Sequence, residues 1–275
     1  VPYHDHTTRW GKKMGDAVLV DALTQGLQDP IGDYHMAVTA ENVAERHQVT
    51  RQEQDELAVE GHQRAARAIA EGRFKEQILP IELKTRKGTV VFDTDEHPRA
   101  DTSLESIGGM KAMFKKEGTV TAANASGIND GAAAVVLATA EEVEKRRLTP
   151  LARIVAWGHA GVEPEYMGVG PIKAVPIALE RAGLALDQMD VIEANEAFAA
   201  QAVAVSKELG FHPDKVNPNG SGVSLGHPVG ATGTILTVKC AYELKRTGGR
   251  YGLITMCIGG GQGIAMVIEN VEAAQ

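Results

Sequence analysis

Three short stretches hold side chains that could do chemistry. LITMCIGGGQGIAMVIE, residues 253–269, places Cys257 at the end of an apolar run and follows it with three glycines. GSGVSLGHPVGATGT, residues 220–234, sets His227 between Gly226 and Gly230 with a proline beside it. VIEANEAFAAQA, residues 191–202, puts Asn195 and Glu196 between an apolar run and a helical pattern. A thiol with a lowered pKa can carry a proton or an acyl group, and an imidazole can take and return protons near neutral pH. A side-chain amide or a backbone N–H beside a glycine can hold a developing oxyanion. Each also has a plainer reading: a buried cysteine packs as a small hydrophobe, and Asn195 suits a helix N-cap.

The elements that must position these groups alternate between helix and strand. Residues 36–72 carry helical spacing, and Thr50 with Glu53 forms a capping-box pattern, so two helices are expected there. Residues 84–104 are polar apart from a short VVF strand and read as an extended, loop-rich insertion. A charged helix, EEVEKRRL, precedes Pro150, where a domain boundary is placed. Beyond it come a β-rich run (LARIVAWGHAG), a helix (PIKAVPIALERAGL), a strand running into a helix (DVIEANEAFAAQAVAVSKELG) and a closing strand pair. Such alternation points to an α/β layered fold.

An internal repeat sharpens the reading. ASGINDGAAAVV, residues 125–136, and CIGGGQGIAMVI, residues 257–268, share glycines at their third and seventh places, and each is expected to fold as strand, tight turn, strand. Ala125 stands in the first copy where Cys257 stands in the second, so the turn itself does not require a thiol. Far less chain of strand and helix character precedes the first copy than the second. This predicts that the first half lacks its beginning and that the chain is the C-terminal part of a longer protein.

Composition narrows the partners. The 275 residues carry a net charge of −8 and no long basic block, which argues against nucleic acid and against an anionic membrane surface. No apolar run reaches the roughly 18 residues that a spanning helix needs. Two cysteines, Cys240 and Cys257, make no disulfide framework and fit a reducing compartment. Cys240 lies in the helical run TGTILTVKCAYELKR and is expected to be core. His4, Asp5 and His6 lack further ligands at matched spacing, so no metal is expected.

NEAF, GHPVGATG and CIGGGQG in this order resemble the thiolase family, and the likeness runs along essentially the whole chain. RWGKKMGD, YHM followed by TAENVA, GRFKEQILPI, GTVTAANASGINDGAAA and MGVGPIKA match as well, closest to the biosynthetic, acetyl-CoA acetyltransferase type. The resemblance implies a layered α-β-α-β-α fold of two duplicated βαβαβαββ halves, the first incomplete here and carrying an inserted loop domain. Residues 1–118 are then the loop domain with the adjoining part of the N-terminal half, 119–149 the last strands and helix of that half, and 150–275 the C-terminal half.

The implied activity is acyl transfer: Claisen condensation of two acetyl-CoA to acetoacetyl-CoA and CoA, or thiolysis of 3-ketoacyl-CoA, in fatty acid or polyhydroxybutyrate metabolism. By resemblance Cys257 is the base that removes a methyl proton, and His227 is expected to lower its pKa. His227 also activates the nucleophile and, with a water held by Asn195, binds the enolate oxygen; the N–H of Gly259 serves a second oxyanion hole. Leu27, His35, Met36, Arg99, Ser106, Phe114, Ser126, Met167 and Phe198 line the implied CoA and acyl site. The nucleophile normally sits in an N-x-x-C-G-S-G motif that this sequence does not contain, and Cys240 does not replace it. Coenzyme A thioesters are substrates, no cofactor is implied, and a homo-oligomer, tetramer or dimer, is expected in the cytoplasm, with the mitochondrion as the alternative. Two rival readings are a catalytically silent CoA-binding or oligomerisation fragment and a ketoacyl synthase relative; CIGGG stands against the second.

Overall fold

In the computed structural model, which describes residues 2–273, local signals decide most helix boundaries. The N-terminal part opens with paired strands β1 (Tyr3–Asp5) and β2 (Leu19–Asp21) and a short helix α1 (Ala22–Gly26). Helix α2 (Met36–Arg46) starts where His35 Nδ1 accepts the Ala37 N–H, and α3 (Arg51–Ala70) starts on the Thr50–Glu53 capping box. A hairpin of β3 (Ile81–Thr85) and β4 (Gly88–Phe92), α4 (Leu104–Gly108) and α5 (Ala140–Arg146) follow.

The second half is built on β5 (Arg153–Gly161), α6 (Gly170–Ala182), β6 (Val191–Ala194), α7 (Ala199–Leu209), α8 (Gly222–Leu225), α9 (Thr232–Thr247), β7 (Tyr251–Ile258) and β8 (Gln262–Glu269). Its sheet has the order β5-β8-β7-β6, antiparallel except for the parallel pair β6–β7. An isolated parallel bridge between Ile192 and Val216 continues the sheet past β6.

Side-chain alternation along the strands separates two cores, as a period of two requires. Ile192, Leu253, Ala265 and Val267 pack with Ala174, Val175, Ala178 and Leu179 of α6 and with Val205 of α7. Val191, Ile254 and Ile268 face the other way, onto Leu236, Cys240, Ala241 and Leu244 of α9. Helices therefore cover both faces of the sheet, and α2 and α3 add a further layer on α7. Cys240 is fully buried in that packing, as its helical setting predicts.

The β7–β8 hairpin, whose first strand carries Cys257, is tightly placed. Gly260 and Gly261 adopt φ of +80° and +84°, which a β-carbon would strain. At the start of β8, Gly263 lies against Gly170 so closely that a β-carbon on either would strike backbone of the other segment. The hairpin tip is thereby seated on the first turn of α6.

The expected first hairpin, residues 125–136, does not form. Ala125 makes one isolated bridge to Phe198, residues 129–139 carry no strand, and Val135, Val136 and Leu137 are exposed. A strand exists only by pairing its N–H and C=O groups with a neighbour, and among the described residues no strand lies beside this segment.

Candidate active site

The motifs converge at one end of the sheet. Asn195 leaves the end of β6, with its N–H donating to the Thr255 carbonyl of β7 at 2.9 Å, two residues before Cys257. Asn195 does not take its plainer reading as a helix cap: Phe198 occupies the N-cap position of α7. The Asn195 side chain instead brings Nδ2 to 3.4 Å from His227 Nε2, and its Oδ1 is buried without a hydrogen-bond partner. The Gln201 side chain supports the loop, donating to the Asn195 carbonyl at 3.1 Å and accepting from the Ala197 N–H at 3.1 Å.

His227 sits on the loop between α8 and α9. Its N–H faces Asn129 Oδ1 at 3.3 Å, and its Nδ1 lies 2.6 Å from Thr232 Oγ1. Burial lowers its pKa, so the ring is neutral at pH 7. Below it, Asn217 staples β6: Oδ1 accepts the Ala194 N–H at 2.9 Å, and Nδ2 donates to the Ala194 carbonyl at 2.8 Å and to Glu196 Oε1 at 2.7 Å. The Glu196 carboxyl is buried, which pushes its pKa up to about 7. Deeper still, Lys239 of α9 donates to Glu193 Oε2 and to the Gly220 carbonyl, each at 2.6 Å.

Cys257 packs in an apolar cluster with Met36, Met167, Ala197 and Phe198. Three of those are expected acyl-site residues. The cluster contradicts one expectation, that neighbours depress the thiol: burial among two thioethers, a methyl group and a ring pushes the Cys257 thiol up to about 12. The thiol is therefore held in its protonated form. Gly259 stands at the exposed hairpin tip, and a β-carbon there would lie 3.5 Å from the Met36 sulfur.

Other expected site residues gather at the rim. His35 stacks on Phe114 with ring centroids 4.7 Å apart, and the Met36 N–H donates to the Leu27 carbonyl at 2.8 Å. Because His35 Nδ1 accepts the Ala37 N–H, its free proton is on Nε2. Ser126 donates from N and Oγ to the Ala197 carbonyl, at 3.0 and 2.8 Å, and so lays the NASG loop across NEAF. Two residues are engaged elsewhere. Ser106 spends its hydroxyl on the capping box of α4 with Ser103, and Arg99 has an exposed side chain while its N–H donates to His62 Nδ1 at 3.1 Å.

An imidazole and an amide that meet beyond the end of β6, with a thiol near the end of the neighbouring strand β7, are groups suited to acyl transfer. The thiolase N-terminal domain model matches residues 1–141 and the thiolase C-terminal domain model residues 148–270, and the chain belongs to the thiolase family. It is 59% identical over 271 residues to a beta-ketothiolase, BktB, of Cupriavidus necator, covering 98% of this chain and 69% of that protein. The acetyl-CoA acetyltransferase of Rhizobium meliloti is 50% identical over 264 residues, 96% of this chain and 67% of that protein. The crystal structure of the Bacillus anthracis acetyl-CoA acetyltransferase superposes with a TM-score of 0.93 at 48% identity, covering 98% of this chain and 68% of that one. The fold is the thiolase fold.

Proposed function

We propose that these residues carry the proton-transfer and enolate-binding steps of a thiolase acting on acetyl-CoA and acetoacetyl-CoA. The observation that carries the reading is the meeting of Asn195 Nδ2 with His227 Nε2, with the Asn195 N–H on the Thr255 carbonyl of β7, the strand that carries Cys257. His227 takes the proton of the acyl-accepting thiol and returns it to the departing CoA sulfur. In thiolysis, Cys257 gives its proton to the carbanion of the leaving acetyl group; in condensation, the same sulfur removes a methyl proton from the second acetyl-CoA. The resulting enolate oxygen is held by His227 and by a water on the Asn195 amide, and the Gly259 N–H faces the acyl-enzyme oxygen. Met36, Met167 and Phe198 keep the acyl group short and water out.

Neither cysteine suits the role of acyl acceptor: Cys240 is sealed in the core with its pKa pushed well up by burial, and Cys257 is the proton carrier. A thiolysis assay tests the reading. The chain alone should leave acetoacetyl-CoA and CoA unchanged, and co-expression with the nucleophile-bearing segment of a relative should give cleavage. Turnover by the chain alone, or none with the segment bound, would sink it.

In the same reading the polar segment 1–118 covers the site and joins copies into a homo-oligomer. The β3–β4 hairpin supports this, since Ile81, Leu83, Val90, Val91 and Phe92 are all exposed on it. Light scattering should give a dimer or tetramer, and a monomer would count against it. Among the described residues no helix is long and apolar enough to cross a membrane.

A further inference from the structure

His227 is held at both ring nitrogens. Nδ1 lies 2.6 Å from Thr232 Oγ1, and Nε2 lies 3.4 Å from Asn195 Nδ2. Thr232 is the first residue of α9, almost wholly buried, and its hydroxyl also lies 3.0 Å from the Pro228 carbonyl oxygen. A carbonyl only accepts, so the single hydroxyl proton is drawn to Pro228 and the hydroxyl oxygen turns a lone pair toward Nδ1. At the other end an amide nitrogen only donates, so it asks Nε2 for a lone pair. Both ends call for one tautomer.

We propose that Thr232 is a positioning residue that fixes His227 in the Nδ1–H tautomer and so keeps Nε2 unprotonated, an acceptor for the proton of the reacting groups. The inference deepens the role given to His227 above and rests on that reading for its purpose. With the proton on Nε2 instead, the imidazole could not take the nucleophile's proton there. Once Nε2 is protonated, Thr232 still accepts from Nδ1–H, so the ring keeps its orientation as imidazolium and Nε2–H can donate to the enolate oxygen. The competing arrangement turns the hydroxyl away from Pro228 to donate to Nδ1, puts the ring proton on Nε2 and turns the Asn195 amide over. A hydroxyl at this place in GHPVGAT looks, in the sequence, like an ordinary start to a helix.

Two-bond proton–nitrogen correlation spectra of the histidine-labelled chain, at a pH where the ring is neutral, read the tautomer directly. The chain has nine histidines, and the His227 signals are those lost in His227→Gln. We expect Nδ1–H in the native chain and in Thr232→Ser. In Thr232→Val, which keeps the shape and loses the hydroxyl, the Nδ1–H to Nε2–H ratio should fall about fivefold or more, the worth of one hydrogen bond. A native His227 protonated on Nε2 overturns the proposal, as does an unchanged ratio in a folded Thr232→Val. If Thr232→Val does not fold, the native and Thr232→Ser spectra decide, and Nε2–H in either is fatal. The readout needs no turnover, so failure of the thiolase reading in the thiolysis assay stays separate from failure here.

Discussion

Lys239 and Glu193 form an ion pair of 2.6 Å with almost no solvent on either side chain, and the same ammonium holds the Gly220 carbonyl from which the His227 loop departs. The pair ties α9 to β6 directly beneath the site. Removing one partner leaves an uncompensated buried charge, so Lys239→Met should destabilise the fold by about 3–5 kcal/mol in urea denaturation. A loss below about 1 kcal/mol would mean that the pair is not buried in solution.

Cys257 and His227 should separate kinetically in any preparation that turns over acetyl-CoA. Cys257→Ala should still form the acetyl-enzyme, because the thiol handles only the proton on carbon, while condensation is lost. His227→Ala should slow both steps, by about 10²–10⁴-fold, since the imidazole serves the nucleophile and the enolate alike. Intact-mass spectra after mixing with acetyl-CoA check this. No adduct with a folded, CoA-binding Cys257→Ala would show that the thiol is needed for acylation.

Glu196 gives a pH signature. Burial raises its folded pKa from 4.5 to about 7, so between those values the folded state holds a proton that the unfolded state has released. Its contribution is fully present below about 4.5 and is lost as pH rises through about 7. Melting temperatures measured across that window should fall more steeply in the native chain than in Glu196→Gln, and parallel curves would show that the carboxyl is ionised when folded.

His62 acts in the opposite direction. Burial first, then the neighbouring His97 and Arg99, lower its pKa from 6.5 to about 4. The unfolded state binds the proton first on acidification, so this stabilising contribution is present above about 6.5 and is lost as pH falls toward 4. His62→Gln should flatten the acid limb of a denaturation profile between those limits.

Much of this was legible because it is local. The Thr50–Glu53 capping box, the α6 and α7 patterns and the closing hairpin depend on residues within a few places of one another. The three candidate stretches were visible because glycines and polar groups interrupt apolar runs. What could not be read depends on partners distant in sequence. Residues 129–139 have strand composition, yet without a neighbouring strand they form no strand, and 130–139 are exposed. Asn195 looks like a cap until the loop from 220 to 231 brings His227 to it. Lys239 and Glu193 look like an ordinary helix charge and a strand-end charge, and only the packing of α9 on β6 buries them. The direction of the Cys257 shift depends on Met36 and Met167, which come from two other segments.

Asn129 holds the His227 N–H at 3.3 Å and reaches His97 Nδ1 at 3.4 Å, while His97 Nε2 lies 3.1 Å from the Val223 carbonyl. Asn129 and His97 lie in the stretch matched by one domain model, and His227 and Val223 in the stretch matched by the other. His227 is thus held by a bracket from the opposite half, and the two halves are not interchangeable parts. In a chimera that joins residues 148–270 to the first half of a distant relative, the graft would inherit every residue of the imidazole loop and still mis-aim it, unless the asparagine and histidine of the bracket came along.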